Sequence, residues 1–279
     1  LEEALVLMKA HGASILVLMP YAYDTVPGQR FRWEQWQPLL QQQGVRVDRL
    51  HFLTPLLNRL RQRNLHAALV PLLLLRYLFY IFKALFVFWR YDYVVVFRNA
   101  ALGGPPIIEA LLFLLGCKVV YDFDDAVHLP PSDDNSPWLK RLLRCNWRVA
   151  YICRRAYAVG AGNEFLADYA SNYCERVFIW RTSIDTTLYR EKTTHESPPV
   201  VGWTGSESTS IYIRELLPLL AELQQEVDFR LLVVGSVVDL KAAGVAGESH
   251  PWQAATEIPL IGRMDIGLMP LYDTPWEQG

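Results

Sequence analysis

The sequence predicts an α/β protein made of two units, each containing a doubly wound parallel sheet. Short apolar runs such as Ser14 to Met19 and Tyr93 to Phe97 alternate with longer helical segments, which is typical of parallel strands joined by crossover helices. A polar stretch from Thr182 to Pro199 interrupts this alternation, and a second strand-loop-helix series follows it. A length of 279 residues fits two average domains.

We place the first unit at residues 12–190 and the second at 191–279, which we expect to be incomplete. Ligands of open α/β sheets bind at the carboxyl ends of the strands, so we expect a binding cleft where the strand ends of the two units face each other. The predicted strands are residues 14–19, 45–50, 93–97, 118–121, 156–159 and 176–180 in the first unit, then 200–203, 229–234 and 265–271 in the second.

Charge and cysteine content restrict the partners and the compartment. The net charge of −2 and the pI near 6.3 give no reason to expect a nucleic-acid partner. The four cysteines form no Cys-x-x-Cys pair, which favours a reducing compartment. No basic segment and cleavage site of the secretory type precede Ile15. The sequence therefore predicts a cytoplasmic protein.

Three carboxylates, Asp122, Asp124 and Asp125, follow the apolar run from Val119 to Tyr121. One interpretation is a phosphatase of the haloacid dehalogenase type, with Asp122 as nucleophile and Asp124 as general acid and base. A second is a metal-dependent transferase whose Asp-x-Asp pair holds a hard cation on a nucleotide diphosphate. In the third, an aspartate only caps a helix or satisfies loop amides. The strand alone does not separate these alternatives.

The segment from Gly202 to Ser206 lies between a predicted strand and a predicted helix. Backbone amides at such a position can receive phosphate oxygens, and glycine allows a ligand to approach the backbone closely. Gly235 follows the next strand and is a weaker candidate of the same kind. The alternative is a tight turn in which Ser206 or Ser208 caps the helix.

Six segments together resemble one enzyme family. They are the loop and helix from Pro20 through Pro27 to Trp36, the run from Tyr121 to Ala126, Ala161 to Ala167, Thr182 to Asp185, Gly202 to Ser206, and Asp265 to Pro270. In order and spacing, these segments resemble the family 4 (group 1) glycosyltransferases of GT-B fold, which consist of two Rossmann-like domains. The resemblance covers nearly the whole chain from Ser14 onward.

The resemblance implies an enzyme that moves a sugar from a nucleotide-diphosphate sugar to a glycan or lipid-linked acceptor, as in the synthesis of cell-surface glycans. It also implies retention of configuration and no obligate metal or other cofactor. The implied donor-binding residues are Gly28, Gly202, Thr204, Gly205, Ser206 and Gly235. Asp124 and Asp125 are the implied catalytic residues on the acceptor side, beside Asn163.

Three arginines, Arg30, Arg32 and Arg98, are candidates for binding anionic groups, because a guanidinium pairs with phosphate in bidentate fashion. The alternative for each is a structural ion pair.

The chain departs from the family at two places. Trp180 and Arg181 stand where the family usually has proline. The family also continues beyond the position of Gly279 into a glycine- and lysine-bearing turn that meets the donor. In the family, that turn stabilises the leaving diphosphate. We therefore expect little activity from a chain that stops at Gly279.

The segment from Leu65 to Arg90 is the most apolar in the sequence, and Arg76, Lys83 and Arg90 recur in it every seven residues. That spacing places the three cations on one stripe of a helix. Cations inside the apolar window argue against a spanning helix and favour an in-plane helix on an anionic membrane, here the inner face of the plasma membrane. The alternative is a helix that covers the sheet while its cations face water.

Two other functions remain open from the residues. An Asp-x-Asp enzyme built on Asp122 and Asp124 would lose its activity on chelation. A degenerate, membrane-associated binding module would keep the fold without turnover.

Overall fold

The structure is a computed structural model that describes residues 12–62, 66–130, 145–195 and 197–279. The chain forms two compact units, the first comprising residues 1–183 with 274–279 and the second residues 184–273. Each unit has its own parallel sheet and its own apolar core.

The first unit contains a six-stranded sheet in the order β2-β1-β3-β4-β5-β6, with every neighbouring pair parallel. The strand pattern expected from the sequence is confirmed, although the fourth strand runs two residues beyond its predicted end. Asp122 therefore lies inside a strand and not in the loop after it. The strands are β1 Ser14–Met19, β2 Arg46–His51, β3 Tyr93–Phe97, β4 Val119–Phe123, β5 Ala158–Ala161 and β6 Val177–Ile179.

The helices of the first unit are α1 Pro27–Gln29, α2 Gln37–Gln42, α3 Pro55–Gln62, α4 His66–Phe86, α5 Ile107–Leu114, α6 Trp147–Cys153 and α7 Glu164–Ser171. A π-helical turn, Arg30–Glu34, separates α1 from α2, where the sequence predicts one continuous helix over 31–43. A helix is also predicted over 139–156. Within its described part, residues 145–156, the helix α6 covers Trp147–Cys153, and residues 139–144 lie outside the described residues.

Both faces of this sheet are covered by apolar side chains. Leu16 and Val94 belong to one core cluster, and their chain neighbours Val17 and Val95 belong to the other. Successive side chains of a strand point to opposite faces, so strands buried on both faces must be apolar throughout. This requirement explains why the apolar runs of β1 and β3 reveal the strands in the sequence.

The second unit contains a four-stranded parallel sheet in the order β10-β7-β8-β9. The edge strand β9 carries glutamate, serine and histidine, so no apolar run marks it and the sequence does not predict it. The last strand covers two residues, where the sequence predicts a strand over 265–271. The elements are β7 Val200–Thr204, a 3-10 turn Glu207–Thr209, α8 Ser210–Leu223, β8 Arg230–Gly235, β9 Gly247–Pro251, α9 Ala254–Ile261 and β10 Ile266–Gly267.

The carboxylate of Asp265 ties together three parts of the second unit. Its Oδ1 lies 2.8 Å from Lys192 Nζ and 2.9 Å from His195 Nδ1, and its Oδ2 accepts the Val200 amide at 2.8 Å. The hydrogen bond from Lys192, followed by those from the Val200 amide and His195, holds the pKa of Asp265 well below its ordinary value. The ionised carboxylate therefore stabilises the folded second unit.

We expect Asp265→Asn to lower the melting temperature of the protein by a few degrees at pH 7. Because the folded-state pKa is depressed, the carboxylate stabilises fully above the ordinary value of 3.8, and the contribution is lost as the pH falls below it. Melting curves from pH 7 to pH 2.5 should show the difference between variant and wild type shrinking below pH 4. Asp228→Asn, at an exposed position of the same unit, should have little effect at any pH. A difference for Asp265→Asn that stays constant with pH would contradict this role.

Candidate functional site

Four polar or glycine-containing loops of the first unit follow strands whose carboxyl ends lie along one edge of the sheet. Gly28 lies in the loop and short helix after β1, and Arg98, Asp124 and Asn163 follow β3, β4 and β5. All four strands are parallel, so the loops share this edge. The predicted residues Gly28, Arg98, Asp124 and Asp125 are brought together there.

Arg98 connects the two aspartates that follow β4. Its Nε lies 2.6 Å from Asp124 Oδ1, and its Nη2 lies 2.6 Å from Asp125 Oδ2. The backbone of Arg98 has a φ of 55°, a conformation that costs energy for a residue with a side chain. It is held by the Arg98 amide bonding to the Asp122 carbonyl at 2.7 Å and by the Tyr121 hydroxyl donating to the Arg98 carbonyl at 3.1 Å. We name Arg98, Asp124 and Asp125 the edge cluster.

The Arg98 charge attracts both carboxylates of the edge cluster, whereas the two carboxylates repel each other. Burial disfavours the charge on Arg98, but the carboxylates of Asp124 and Asp125 outweigh this effect and raise its pKa. Desolvation raises the pKa of Asp125; the Arg98 charge opposes this rise, and the charge of Asp124 adds to it. Asp124 is 8% exposed and Asp125 45% exposed, so Asp125 is the carboxylate a solute can reach more easily.

Two glycines allow the backbone to approach this cluster. A Cβ on Gly28 would lie 3.2 Å from Arg98 Nη2 and 3.3 Å from Asp124 Oδ2. A Cβ on Gly162 would lie 2.9 Å from Asp124 Cα, closer than side-chain atoms pack. Side chains at these positions would displace the edge cluster.

Asn163 borders the site at the start of α7. Its Oδ1 accepts the Leu166 amide at 2.9 Å, so the side chain caps the helix. Its Nδ2 donates to the Gln278 carbonyl, also at 2.9 Å, within the first unit. The structure therefore gives Asn163 a capping role, which the sequence does not predict.

The structure corrects the predicted role of Arg32. Its side chain is buried and pairs with both carboxylate oxygens of Asp122, while Nη1 bonds to the Trp180 carbonyl and to Thr182 Oγ1. Trp33 Nε1 adds a further hydrogen bond to Asp122 Oδ2 at 2.7 Å. Arg32 is therefore a structural partner of a buried carboxylate and does not face an anionic ligand.

The pairing of Arg32 with Asp122 also decides whether Asp122 can serve as a nucleophile or a metal ligand. A nucleophile or metal ligand needs an oxygen that a substrate or ion can approach, and the Asp122 side chain is 0% exposed with its oxygens engaged by Arg32 and Trp33. Among the described residues, no group of three histidine, cysteine or acidic side chains has the arrangement of a metal site. Asp122 in this geometry does not support a phosphatase nucleophile.

Arg30 is the first residue of the π-helical turn that follows α1. Its Nη1 is 3.7 Å from Asp24 Oδ1, and its guanidinium carbon lies 4.8 Å from the centre of the Phe31 ring. The structure therefore places it next to the first loop but pairs it with that loop's own aspartate.

In the second unit, Gly205 and Gly235 pack directly against each other. Gly235 has a φ of 108°, and a Cβ added to it would overlap the Gly205 carbonyl oxygen. The Gly205 amide donates to the Val234 carbonyl at 3.0 Å. The loops after β7 and β8 therefore form one rigid surface, and only glycine fits where they touch.

Two amides of the loop after β7 donate to groups within the second unit. Besides the Gly205 amide, the Ser206 amide donates to Thr209 Oγ1 at 2.9 Å, and the Ser206 side chain completes a capping box with Thr209. The Ser206 contact agrees with the alternative in which Ser206 caps the helix. Thr204 is exposed at the end of β7, whereas a Cβ on Gly202 would meet the Met264 side chain, so Gly202 provides room for core packing.

Some residues that shape the first site were not predicted to do so. Gln29 Oε1 accepts the Tyr21 amide at 3.2 Å, and its Nε2 donates to Glu34 Oε1 at 2.7 Å. Glu34 Oε2 in turn accepts the Asp24 amide at 2.9 Å, so both side chains fix the first loop. Glu109 is buried and accepts the Ala100 amide at 2.9 Å, supporting the loop after Arg98. No sequence pattern indicates these contacts, because they depend on the π-helical turn and on how segments of the chain come together in the fold.

The three residues predicted to contact a membrane, Arg76, Lys83 and Arg90, lie in three different environments. Arg76 donates to the carbonyls of Phe52 and His51, at 3.0 and 2.6 Å, and so faces the sheet. This position corrects its predicted membrane contact. Lys83 is half-buried on the flank of α4, with Nζ 5.5 Å from the Phe79 ring, and Arg90 is exposed in the turn after the helix.

No protein-family model and no curated protein sequence matches this chain. Solved structures match its fold. A glycosyltransferase from Rickettsia africae superposes with a TM-score of 0.54 at 14% identity, covering 92% of this chain and 72% of the other. An α-glucosyltransferase in complex with UDP and a 13-mer DNA superposes with a TM-score of 0.55 at 10% identity, with the same coverages. A further α-glucosyltransferase structure, in complex with UDP-glucose and DNA, superposes with a TM-score of 0.53 at 11% identity, covering 91% of this chain and 71% of the other.

At these identities the likeness establishes the fold. The chain has the GT-B fold of these glycosyltransferases, with two Rossmann-like units built on parallel sheets of six and four strands. The predicted fold class is therefore confirmed.

Proposed function

We propose that this protein is a glycosyltransferase that moves a sugar from a nucleotide-diphosphate donor to a hydroxyl of a glycan or lipid-linked acceptor. The observation that carries the proposal is the GT-B fold with an acidic cluster at the carboxyl edge of its first sheet. Structural neighbours named for UDP and UDP-glucose support a nucleotide sugar as the donor.

The first unit holds the acceptor in this proposal. Asp125 is reachable by a solute, and its raised pKa suits a carboxyl that exchanges a hydrogen bond with an acceptor hydroxyl. Asp124, held by Arg98, orients the acceptor or stabilises positive charge developing on the sugar ring. Gly28 allows the first loop to lie close to Arg98 and Asp124, and the resemblance of the sequence assigns it to the donor diphosphate.

The second unit holds the donor. Gly205 and Gly235 form the rigid surface, and the hydroxyl of exposed Thr204 is the group offered to the nucleotide or its phosphates. The reaction proceeds with retention and without an obligate metal in this proposal, as the resemblance of the sequence implies. The proposed setting is cytoplasmic synthesis of a cell-surface glycan.

Donor binding is tested by thermal unfolding of the protein with about 1 mM UDP, UDP-glucose, GDP, ADP or dTDP. A ligand at about 100 times its Kd stabilises the folded protein by about 2.7 kcal/mol. We expect one nucleotide to raise the melting temperature. Thr204→Val should reduce this shift, while Thr256→Val, an exposed threonine on α9, should leave it unchanged. The absence of a shift with every nucleotide would count against the donor assignment.

A further inference from the structure

The helix α4 is the longest in the described chain, with 21 residues and a length of about 30 Å. Its inner side belongs to the core of the first unit, where Leu69, Tyr80 and Ala84 are buried. The Tyr80 ring packs edge-on against Phe52 at a centroid distance of 5.3 Å. This side of the helix is therefore fixed to the sheet.

The opposite side of α4 is also apolar. Successive residues turn by about 100°, so its exposed side chains cover about half of the helix circumference. Surface helices ordinarily turn polar residues outward, but every large side chain on this side is a hydrocarbon or an aromatic ring. We name this surface the outer arc; its residues are Val70, Leu74, Leu75, Leu78, Phe79, Phe82, Leu85 and Phe86, which are 37–62% exposed.

Neighbouring elements extend the apolar surface. Helix α5 packs beside α4 and exposes Ile107 and Leu114, the latter to 81%. Leu56 of α3 and Trp89 in the turn after α4 are also more than half exposed. A contiguous apolar surface of this extent marks a contact with another apolar phase.

The segment of sequence that carries the outer arc has charge of one sign. Residues 49–91 contain seven arginines and lysines and no aspartate or glutamate, in a chain whose net charge is −2. Arg59, Arg61 and Arg90 are exposed, and the Arg90 guanidinium carbon lies 5.5 Å from the Trp89 ring centre. An apolar strip bordered by cations and an interfacial tryptophan is complementary to anionic lipid headgroups above an acyl layer.

We propose that the outer arc is a docking surface for an anionic lipid bilayer, with α4 lying in the plane of the membrane. The outer arc enters the acyl boundary, and Lys83, Arg90 and the exposed arginines of α3 reach the headgroups.

The geometry distinguishes lying in the plane from spanning the membrane. Residues Leu69–Arg90 are long and apolar enough to cross a bilayer by length and composition. Crossing would withdraw Tyr80 and Ala84 from the core and break the bonds from Arg76 to the carbonyls at the end of β2. The in-plane arrangement keeps these contacts. It does not depend on sugar transfer, because lipid binding needs no nucleotide.

The test is flotation of the whole protein, without nucleotide, with vesicles of equal parts phosphatidylglycerol and phosphatidylcholine and with vesicles of phosphatidylcholine alone. We expect binding to the anionic vesicles and at least ten-fold weaker partitioning of the double variant Leu75→Asn, Leu78→Asn. A second variant, Lys83→Gln with Arg90→Gln, should bind anionic vesicles about five-fold more weakly for each charge removed.

A matched control keeps the test specific. Leu188→Asn with Leu219→Asn changes two leucines of the second unit whose exposures, 57% and 59%, resemble the 62% and 61% of Leu75 and Leu78. This control should bind like the wild type, and the melting temperatures of all variants verify folding. Equal binding by the outer-arc variant, or no binding by the wild type, would overturn the proposal. It would also be overturned if the wild type self-associated through the outer arc and ignored the vesicles.

Discussion

Arg32→Met is expected to destabilise the first unit by about 3–5 kcal/mol, because removing one partner of a buried ion pair leaves the other charge unpaired in the interior. Arg32 and Asp122 both have 0% exposed side chains. Urea denaturation followed by tryptophan fluorescence reports this region directly, since Trp33 and Trp180 lie next to the pair with ring centres 4.6 Å apart.

The same substitution at an exposed ion pair provides the control. Arg181 pairs with Glu164, and both side chains are more than 60% exposed, so Arg181→Met should cost less than about 1 kcal/mol. Adding Asp122→Asn to Arg32→Met removes the unpaired charge and should recover part of the lost stability. Equal effects of the two arginine substitutions, or no recovery in the double variant, would show that the buried pair does not hold these elements together.

Asp124→Asn is expected to lower sugar transfer about 100-fold, the scale lost when one preorganised electrostatic group is removed from a transfer site. The substitution preserves the shape of the side chain but removes the charge that faces Arg98 and, in the proposed function, the acceptor or the reacting sugar. The rate of nucleoside-diphosphate release measures this loss. Most of the donor-induced shift in melting temperature should remain, because Gly28 is the one proposed donor residue in the first unit and the others lie in the second.

Asp168→Asn is the control for this prediction, because Asp168 is exposed on α7 of the same unit. It should release nucleotide at the wild-type rate. If Asp124→Asn transferred sugar as fast as Asp168→Asn, the edge cluster would have no part in the reaction. If it lost the donor-induced shift as well, Asp124 would act through the structure of the donor site and not on the acceptor.

The elements predicted best from the sequence are those whose environment is uniform along the chain. β1 and β3 are buried on both faces, so the ends of each apolar run coincide with the ends of the strand. β9 is an edge strand with polar side chains, and nothing in its sequence separates it from a loop. The end of β4 was placed too early because a charged residue normally ends a buried strand. Here, Arg32 neutralises Asp122 from 90 positions away.

The candidate site was predictable in location but not in its internal pairing. Ligands of parallel sheets bind at the carboxyl ends of the strands, which is why the aspartates after β4 could be singled out from the sequence. Gly28 and Asn163 were implied only by the resemblance to a family. Which arginine meets which aspartate depends on backbone conformations such as the φ of 55° at Arg98. The sequence therefore identified Arg98 and Arg32 as equivalent candidates, although one borders the site and the other lies in the core.

Helix α4 shows a similar limit. The seven-residue spacing of its cations predicted one stripe facing a membrane, but spacing does not say which side of a helix faces the sheet. Arg76 faces inward to the carbonyls of His51 and Phe52, and the apolar residues face outward. The composition of the segment showed that α4 is apolar and basic. Which side of the helix faces outward follows only from its packing against the rest of the first unit.

The central claim is tested most directly by incubating the protein with a panel of nucleotide-diphosphate sugars, including UDP-glucose, and measuring nucleoside-diphosphate release with and without EDTA. Water serves as a slow acceptor in this assay. We predict slow but measurable release from one donor, unchanged by EDTA and reduced by Asp124→Asn but not by Asp168→Asn. No release from any donor would contradict the transferase, and release abolished by EDTA would contradict the metal-independent reaction.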